Sequence, residues 1–453
     1  MWPLLTSIYF LMMKFVDEVP LVDDANESSG WRRLDVHARR VRTLCMEPLH
    51  IAISPIIYFR IRDKRDSPLL PGLKKIYIPN NPPLDLYSAL FLASGSTLDV
   101  VQIDGNATSD RQFIVPFLSS LYTKSPSLSH LALREVVLSS SVEPIYRFTE
   151  LQSLEIRLLK SHLPPELLHK LGQLPHLLDL IIDTGVATTS IQPHTSPISI
   201  SNSQFRQLRH LQIIGTTASI SYLLDELKGL TNLSSLKIDQ NSRNNSLFRD
   251  ESSWGSFFDV ISTFSAVADI EIFNRPPETI SVSSFAPLYK LDNLKSFVMN
   301  DSVKLLCSDD DFRLLAEGFR NLKKFVIHLS PFSGEKTLAC LYHLSRECPE
   351  LREIRIALSS NISDNLNAIK KLPHPIARNH QHPLEKLYID ADFGQLKPIQ
   401  LVQLARFLDL IFPNLSTLKE ADDSKKDETE NWAGIHELRL ALQDARTNPV
   451  SDI

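Results

Sequence analysis

One hydrophobic pattern recurs along almost the whole chain, a hexad of the form L-x-x-L-x-[LIVM]. It reads LKKIYI from Leu73, LDVVQI from Leu98, LSHLAL from Leu128, LQSLEI from Leu151 and LLDLII from Leu177. It continues as LRHLQI from Leu208, LSSLKI from Leu233, VADIEI from Val267 and LKSFVM from Leu294. LKKFVI from Leu322, LREIRI from Leu351, LEKLYI from Leu384 and a degenerate LSTL at Leu415 complete the series, and an earlier copy, VRTLCM, begins at Val41. The fourth and sixth positions alternate with polar ones, which places them on one face of a short strand, and the first lies at the turn into it. A single such strand cannot cover its apolar face, whereas stacked neighbours make a continuous core.

Between hexads the period changes from two to that of a helix. Phe312, Leu315, Ala316 and Phe319 recur at i, i+3, i+4 and i+7, behind an acidic entrance at Asp309 to Asp311 that suits a helix N-terminus. Leu401, Leu404, Ala405, Leu408 and Phe412 repeat the stripe, as do Phe257, Val260, Ile261 and Phe264. Pro71, Pro126, Pro175, Pro349 and Pro413 each stand two residues before a hexad leucine and mark the return to extended backbone. With starts roughly 23 to 34 residues apart, somewhat over the usual leucine-rich-repeat period, the expected fold is α/β: a leucine-rich-repeat right-handed solenoid, or horseshoe, of about a dozen βα repeats.

The expected organisation is a helical segment over 1–40, the solenoid over 41–418, a charged linker over 419–431, and a C-terminal helix and tail over 432–453. Trp432, Ile435, Leu438 and Leu442 are spaced to cap the last repeat. Gly185–Ser203, Asn241–Ser253 and Ile376–Pro383 read as loops. The opening MWPLLTSIYFLMMKF is too short to span a bilayer, lacks a basic start and a small-residue cleavage site, and is expected to be a helix packed on the array.

Composition narrows the chemistry. The chain has 453 residues, 43% hydrophobic and 22% charged, with a formal net charge of -5, so it lacks the cationic footprint of a nucleic-acid binder. Arg32, Arg33, Arg39, Arg40 and Arg42 form a single basic cluster, expected to be a solvated helical face. Four cysteines without CxxC spacing, Cys45, Cys307, Cys340 and Cys348, are expected to be buried thiols in a reducing compartment, which places the protein in the cytoplasm or nucleus. Asn106, Asn232 and Asn414 open Asn-x-Ser/Thr triplets that matter only in a secreted protein. No phosphate-binding, nucleophile-elbow or zinc-protease motif occurs, so no catalytic centre, metal or cofactor is expected. His374, His380 and His382 lack acidic or cysteine company at ligand spacing and read as solvated loop histidines.

What remains is the outward face of the strands. Hexad positions three and five, with the residue just after, are expected to line the concave side of the sheet. In order they include Glu155, Arg157, Asp179, His210, Gln212, Lys237, Asp239, Glu271, Phe273, Arg355, Tyr388 and Asp390. Signs alternate and aromatics are few. Such a ladder suits a protein substrate or peptide, where charge complementarity sets specificity, and not a polyanion or a membrane.

The segment WRRLDVHARRVRTL from Trp31, followed by PLLPGLKKIYI at Pro68 and TLDVVQI at Thr97, resembles the F-box-like leucine-rich-repeat proteins of mushroom-forming fungi. The resemblance runs to about Leu418 and includes CPELREIRI at Cys348. It implies a substrate-recognition part of a cullin-type (SCF) ubiquitin ligase, docked through a Skp-type adaptor wherever an F-box precedes the repeats. Residues 1–40 lack the Leu-Pro opening of an F-box and correspond to the family's segment on its C-terminal side, so the F-box is expected to be missing or truncated. A stand-alone intracellular scaffold is the alternative reading, and a secreted repeat receptor a further one.

Overall fold

In the computed structural model the described residues are 35–45, 68–79, 94–95, 97–105, 111–136, 139–158, 165–184, 204–240, 251–274, 278–329, 336–373, 382–391, 393–420 and 429–447. The opening apolar segment, Trp31 to Arg33, the loop at 185–203, His374 and His380, Asn106, and 421–428 lie outside them. The chain divides into two units, Met1–Gly185 with Ser203–Gln207, and Val186–Asn202 with Leu208–Ile453.

Every hexad is a strand. In the first unit β1 (Thr43–Cys45), β2 (Lys75–Ile78), β3 (Val100–Ile103), β4 (His130–Val136), β5 (Ser153–Leu158) and β6 (Asp179–Asp183) pair in sequence order, all parallel. In the second, β7 (His210–Gly215), β8 (Ser235–Gln240) and β9 (Asp269–Asn274) are followed in the sheet by β11 (Ser296–Leu306), β12 (Lys324–Leu329), β13 (Glu353–Ala357), β14 (Lys386–Asp390) and β15 (Thr417–Glu420). A short strand that the hexads do not announce, β10 (Glu278–Ser281), pairs with the distal half of β11.

The connections are helical. The first unit has α1 (Arg111–Lys124), a 3-10 segment at Ser139–Arg147, and α2 (Pro165–Leu171). The second has α3 (Thr217–Glu226), α4 (Glu251–Ile261), a 3-10 segment at Val282–Lys290, α5 (Asp309–Gly318), α6 (Ala339–Glu347), α7 (Ile362–Lys371), α8 (Pro398–Ile411) and α9 (Thr429–Thr447). No helix among the described residues is long and apolar enough to cross a membrane.

The repeat explains itself in hydrogen bonds. The carbonyl at hexad position two accepts two amides from the next rung, those of its positions two and three: Lys323 and Lys324 donate to Lys295, Arg352 and Glu353 to Lys323, Glu385 and Lys386 to Arg352. The same pair of bonds recurs from Arg42 onward. The prolines have a positional reason too. The amide of Leu128 returns to Ser125, that of Leu351 to Cys348 and that of Leu415 to Phe412, so Pro126, Pro349 and Pro413 occupy the second position of a β-turn, where their fixed φ is an advantage. Asparagines in these turns tie rungs together, as Asn293 donates to the Ser265 carbonyl, Asn321 to Asp292 and Asn414 to His382.

From the hexad at Leu73 onward, inward positions one, four and six are almost fully buried, whereas Val41 and Leu44 of the first hexad are half-buried, and phenylalanines widen the core of the second unit around Phe297. Its ring lies 5.6 Å from Phe285, 5.8 Å from Phe319 and 6.3 Å from Phe325. The acidic entrance to α5 divides its labour. Ser308 and Asp311 form the capping box, whereas Asp309 reaches to the next rung and accepts from the Thr337 amide and hydroxyl at 2.8 and 2.6 Å.

Two expectations need correction. His382 is not a solvated loop residue but 1% exposed: its Nε2 lies 3.1 Å from the Cys348 carbonyl and its Nδ1 accepts from the Leu384 amide. The ring takes the place of a turn's hydrogen bonds where the chain re-enters β14. Cys45 is exposed rather than buried, because β1 is the outermost described strand of its unit and turns Cys45 outward, whereas Cys307, Cys340 and Cys348 are buried.

Among the described residues, no further strand supplies amides beyond β15. There α9 lays Trp432, Ile435 and Arg439 on the last rung, with Leu438 and Leu442 half-buried beside them. His436 donates to the Ser416 carbonyl, the position-two acceptor of the final hexad, while Arg439 donates to Leu415 and Gln443 to Pro413. Side chains of a helix thus satisfy part of a sheet edge that would otherwise invite pairing. Phe393 packs on Trp432 at 5.4 Å and Asn431 donates to the Gly394 carbonyl, pinning the start of α9.

Candidate functional site

The strand register sorts the outward side chains into rows. In the first unit the position-five row is Cys45, Tyr77, Gln102, Ala132, Glu155 and Ile181. The residues just past the hexads add Asp104, Arg134, Arg157 and Asp183. Here the chain builds one tight cluster. Arg134 meets Glu155 with two parallel bonds, Nε at 2.8 Å and Nη2 at 2.9 Å, and Arg157 Nε reaches the same carboxylate at 2.5 Å. The outer nitrogen of Arg134 lies 3.5 Å from Asp104, which also accepts from Gln102.

A backbone irregularity sets this geometry. Ala132 and Leu133 pair with Glu155 and Ile156, but the next partner pair is Val136 with Leu158, so two residues of β4 stand opposite one of β5. Glu135 within that bulge has φ +64, a strained value for a residue with a side chain. The extra residue sits next to Arg134, whose side chain reaches across to the carboxylate on the neighbouring strand. Glu155 is only 8% exposed. Burial pushes its carboxyl upward, but the bond from Arg134 and the charges of Arg157 and Arg134 prevail and hold it below the usual carboxylate value.

In the second unit the position-five row reads Gln212, Lys237, Glu271, Val298, Val326, Arg355, Tyr388 and Lys419. The position-three row reads His210, Ser235, Asp269, Ser296, Lys324, Glu353, Lys386 and Thr417. Asp239 and Phe273 pair at the next position, as do Ala357 and Asp390. Lys237 bridges two rungs, 3.3 Å from Glu271 and 4.6 Å above the Phe273 ring. Glu353 lies between two lysines, Lys324 at 3.1 Å and Lys386 at 3.8 Å.

Each of the twelve residues singled out in the sequence is on the outward side of its strand. Glu155 joins Arg157 in one cluster, with Asp179 on the strand beside them; Gln212, Lys237, Glu271 and Phe273 are neighbours by register, with His210 and Asp239 on the same strands; Arg355 stands beside Tyr388, and Asp390 ends the same strand. Asp104, Arg134, Lys324, Lys419, Val298 and Val326 belong to the same rows and were not singled out. Hexad arithmetic reaches all six, since each is the third, fifth or next position of a recognised hexad. Opposite charges meet on neighbouring strands where Lys237 reaches Glu271 and where Lys324, Glu353 and Lys386 follow one another.

Elsewhere the described residues contain no group of three side chains suited to a metal ion. A buried lysine, Lys336, sits among Cys307, Cys340 and Asp309; burial pushes its amine below the usual value, against the thiols and the carboxylate. Its amine donates to the Leu305 carbonyl at 3.4 Å, so it serves the packing of α6 against β11.

No protein-family model matches the chain, and neither does any curated protein. Among solved structures it is similar to the leucine-rich-repeat protein LIC12759 of Leptospira interrogans, at 14% identity and a TM-score of 0.42 over 85% of this chain and 97% of that one. It is also similar to the APL1 leucine-rich-repeat domain, at 14% identity and 0.36 over 76% and 80%, and to the leucine-rich-repeat protein LegL7 of Legionella pneumophila, at 10% identity and 0.36 over 83% and 98%. The assignment as an α/β repeat solenoid rests on the strand register above.

Proposed function

We propose that this protein is a non-enzymatic recognition module that binds a protein partner on the outward face of its strands. The observation that carries this reading is the set of rows themselves. Long polar and charged side chains are repeated at fixed spacing on strands whose backbone is tied rung to rung, so they are held in place before a partner arrives. Preorganised groups lose little freedom on binding, and mixed charge favours a folded protein or peptide over a polyanion.

The finer reading is that the module presents substrates to a cullin-type ubiquitin ligase. The W-x-R-[FL] and A-R-R-V-R run from Trp31 and the PLLP segment at Pro68 support it through their resemblance to F-box-like proteins. Three thiols buried as free cysteines fit a reducing compartment, cytoplasmic or nuclear. A stand-alone scaffold is the second reading.

Exchanging the charges of Arg355 and Asp390 (Arg355→Asp with Asp390→Arg) is expected to weaken affinity capture of native partners severalfold while the circular-dichroism melt stays in place. Capture left intact would refute binding on this face. Co-elution of a purified Skp-type adaptor with the full chain is the result expected of a ligase subunit, and its failure with a version extended by any upstream F-box favours the stand-alone scaffold.

A further inference from the structure

The first two rungs carry a corner of positive charge that the chain does not answer. Arg39, Arg40, Arg42, Lys74 and Lys75 are all exposed, and among the described residues none of them forms an ion pair. Residues 35–38 form a helical turn that seats Ala38 in the core at 2% exposure and leaves Arg39 and Arg40 outside. Arg42 follows as position two of the first hexad. Its carbonyl accepts the Lys74 and Lys75 amides at 2.9 and 3.0 Å, so the rung pairing sets both lysines beside it. Two carboxylates are near in the chain. Asp35 stands one turn before Arg39, and Asp99 lies on the third rung, where it accepts from the Ser129 hydroxyl. Five cations beside two carboxylates leave the corner positive.

Its centre is built. Arg42 Nη1 donates to the Arg39 carbonyl at 3.0 Å and to the Gly72 carbonyl at 2.8 Å, which uses both of its hydrogens. Gly72 is needed for this, because a Cβ there would stand 2.6 Å from the Arg39 oxygen and collide with the guanidinium. The guanidinium is thus fixed across two rungs, with neutral carbonyls along one side. Its Nε and Nη2 edge, which can grip a carboxylate with two parallel bonds, has no partner among the described residues. Arg134 shows the same edge filled from within, by Glu155 at 2.8 and 2.9 Å.

We infer that this corner binds an acidic segment of a partner protein, one carboxylate forked by Arg42 and its neighbours met by Arg39, Lys74 and Lys75. The site adjoins the strand face at Lys75, yet it stands whether or not a partner lies along that face. A peptide fits better than a nucleic acid. The corner is two rungs deep, Asp99 follows in the row of Arg42 and Lys74, and Asp104 lies just past β3. A run of phosphates continuing along the sheet would meet those carboxylates, whereas a short acidic segment would not.

The test uses the full chain, with a short glutamate-rich peptide as probe and the same peptide carrying glutamine for glutamate as control. Fluorescence anisotropy at low salt is expected to show the glutamate peptide binding about tenfold tighter, with the difference shrinking as salt rises. A photo-cross-linker on the peptide is expected to label residues 39–42 and 72–75. Arg42→Lys keeps the charge but cannot fork a carboxylate, so it is expected to bind about fivefold more weakly, whereas Lys74→Arg should lose nothing. Should Arg42→Lys lower the melting temperature, Arg39→Gln with Lys74→Gln is expected to give the same loss, since those side chains make no bond among the described residues. Equal affinity for the two peptides, labelling elsewhere, or undiminished binding in these variants overturns the inference. Tighter binding of a thymidine oligonucleotide or of phosphatidylserine vesicles than of the peptide also overturns it. The Arg355 and Asp390 exchange is expected to leave peptide binding unchanged, and loss of the peptide there would place it on the strand face and sink the inference. If that exchange spares capture of native partners while the peptide behaves as expected, only the strand-face reading fails.

Discussion

A histidine ring can be a structural part that works in one protonation state only, and His382 is such a part. Its Nε2 must carry a proton to reach the Cys348 carbonyl, and its Nδ1 must be bare to accept from the Leu384 amide. Burial, against the favourable bond to Cys348, pushes its pKa down to about 4. The unfolded chain protonates this ring near pH 6.5. A histidine that is harder to protonate when folded contributes fully above pH 6.5, and the contribution is lost as the pH falls from there toward 4. The difference corresponds to about 3 kcal/mol, an upper figure because neighbouring backbone can relax. Urea titrations at pH 7 and pH 5 are expected to show this loss, and His382→Phe, which keeps the packing on Phe412 but cannot titrate, should show a flatter dependence. An equally steep loss in that variant would assign the acid sensitivity to other groups. The Glu155 cluster has the same sense by a different route. Its carboxyl is depressed when folded, so its contribution is present above the ordinary carboxylate range and vanishes as the pH falls through the folded value. Glu155→Gln is expected to cost about 2–4 kcal/mol, since it leaves Arg134 and Arg157 facing each other without the anion between them. A chemical-denaturation difference under about 0.5 kcal/mol would instead mark the cluster as exchanging freely with water.

At the scale of the element, the terminal helix α9 acts as a substitute rung. It presents an arginine with 0% exposure, Arg439, to the Leu415 carbonyl, and the charge of the buried Asp409 of α8 offsets part of the burial of its guanidinium, while His436 covers the carbonyl that another strand would otherwise bond. Arg439→Met keeps much of the volume and removes the charge opposite Asp409. It is expected to destabilise by about 3–5 kcal/mol and to raise amide exchange in β15 and α9. Adding Asp409→Asn should recover part of the loss, in proportion to the attraction between the two buried charges. The absence of coupling in that cycle would show that the helix is held by Trp432 and Ile435 alone. This element also shows where sequence reading ends. The strands were legible because period-two alternation and a turn proline are local signals. The apolar stripe Trp432, Ile435 and Leu438 was legible for the same reason. The arginine in that stripe was not, since its burial depends on a carboxylate thirty positions away, and neither was the bulge at Arg134 and Glu135, which exists only through the mismatch of two strands. Candidate binding positions follow from hexad arithmetic, but their pairing across strands, as of Lys324 with Glu353 and Glu353 with Lys386, emerges only when register lays side by side residues that the sequence keeps dozens of positions apart.

For the whole molecule, the decisive property is that each rung touches only its neighbours. The stability of such an array approximates a sum of rung terms and interface terms, so damage stays local. The second unit offers a sharp place to test this. Phe297 lies on β11, and its ring contacts Phe285 before it, Phe319 after α5, and Phe325 on β12. Phe297→Ala removes a ring shared by adjacent rungs, and large-to-small changes of this kind cost about 3–5 kcal/mol. In a two-state globule the loss would lower the protection of all slowly exchanging amides alike. In a nearest-neighbour array it should fall first on β9, β11 and β12, while β14, β15 and α9 keep most of theirs. Hydrogen exchange monitored strand by strand distinguishes the two, and a uniform loss across the second unit would refute independent rungs. Locality also bears on recognition. Arg355 and Tyr388 sit on β13 and β14, on the far side of β12 from the damaged rung, and their spacing is set by the paired carbonyls of Lys323 and Arg352 rather than by the phenylalanine cluster. Arg355 and Tyr388 should therefore stay ordered in Phe297→Ala, whereas Glu271 on β9, directly paired with β11, should lose its fixed geometry first.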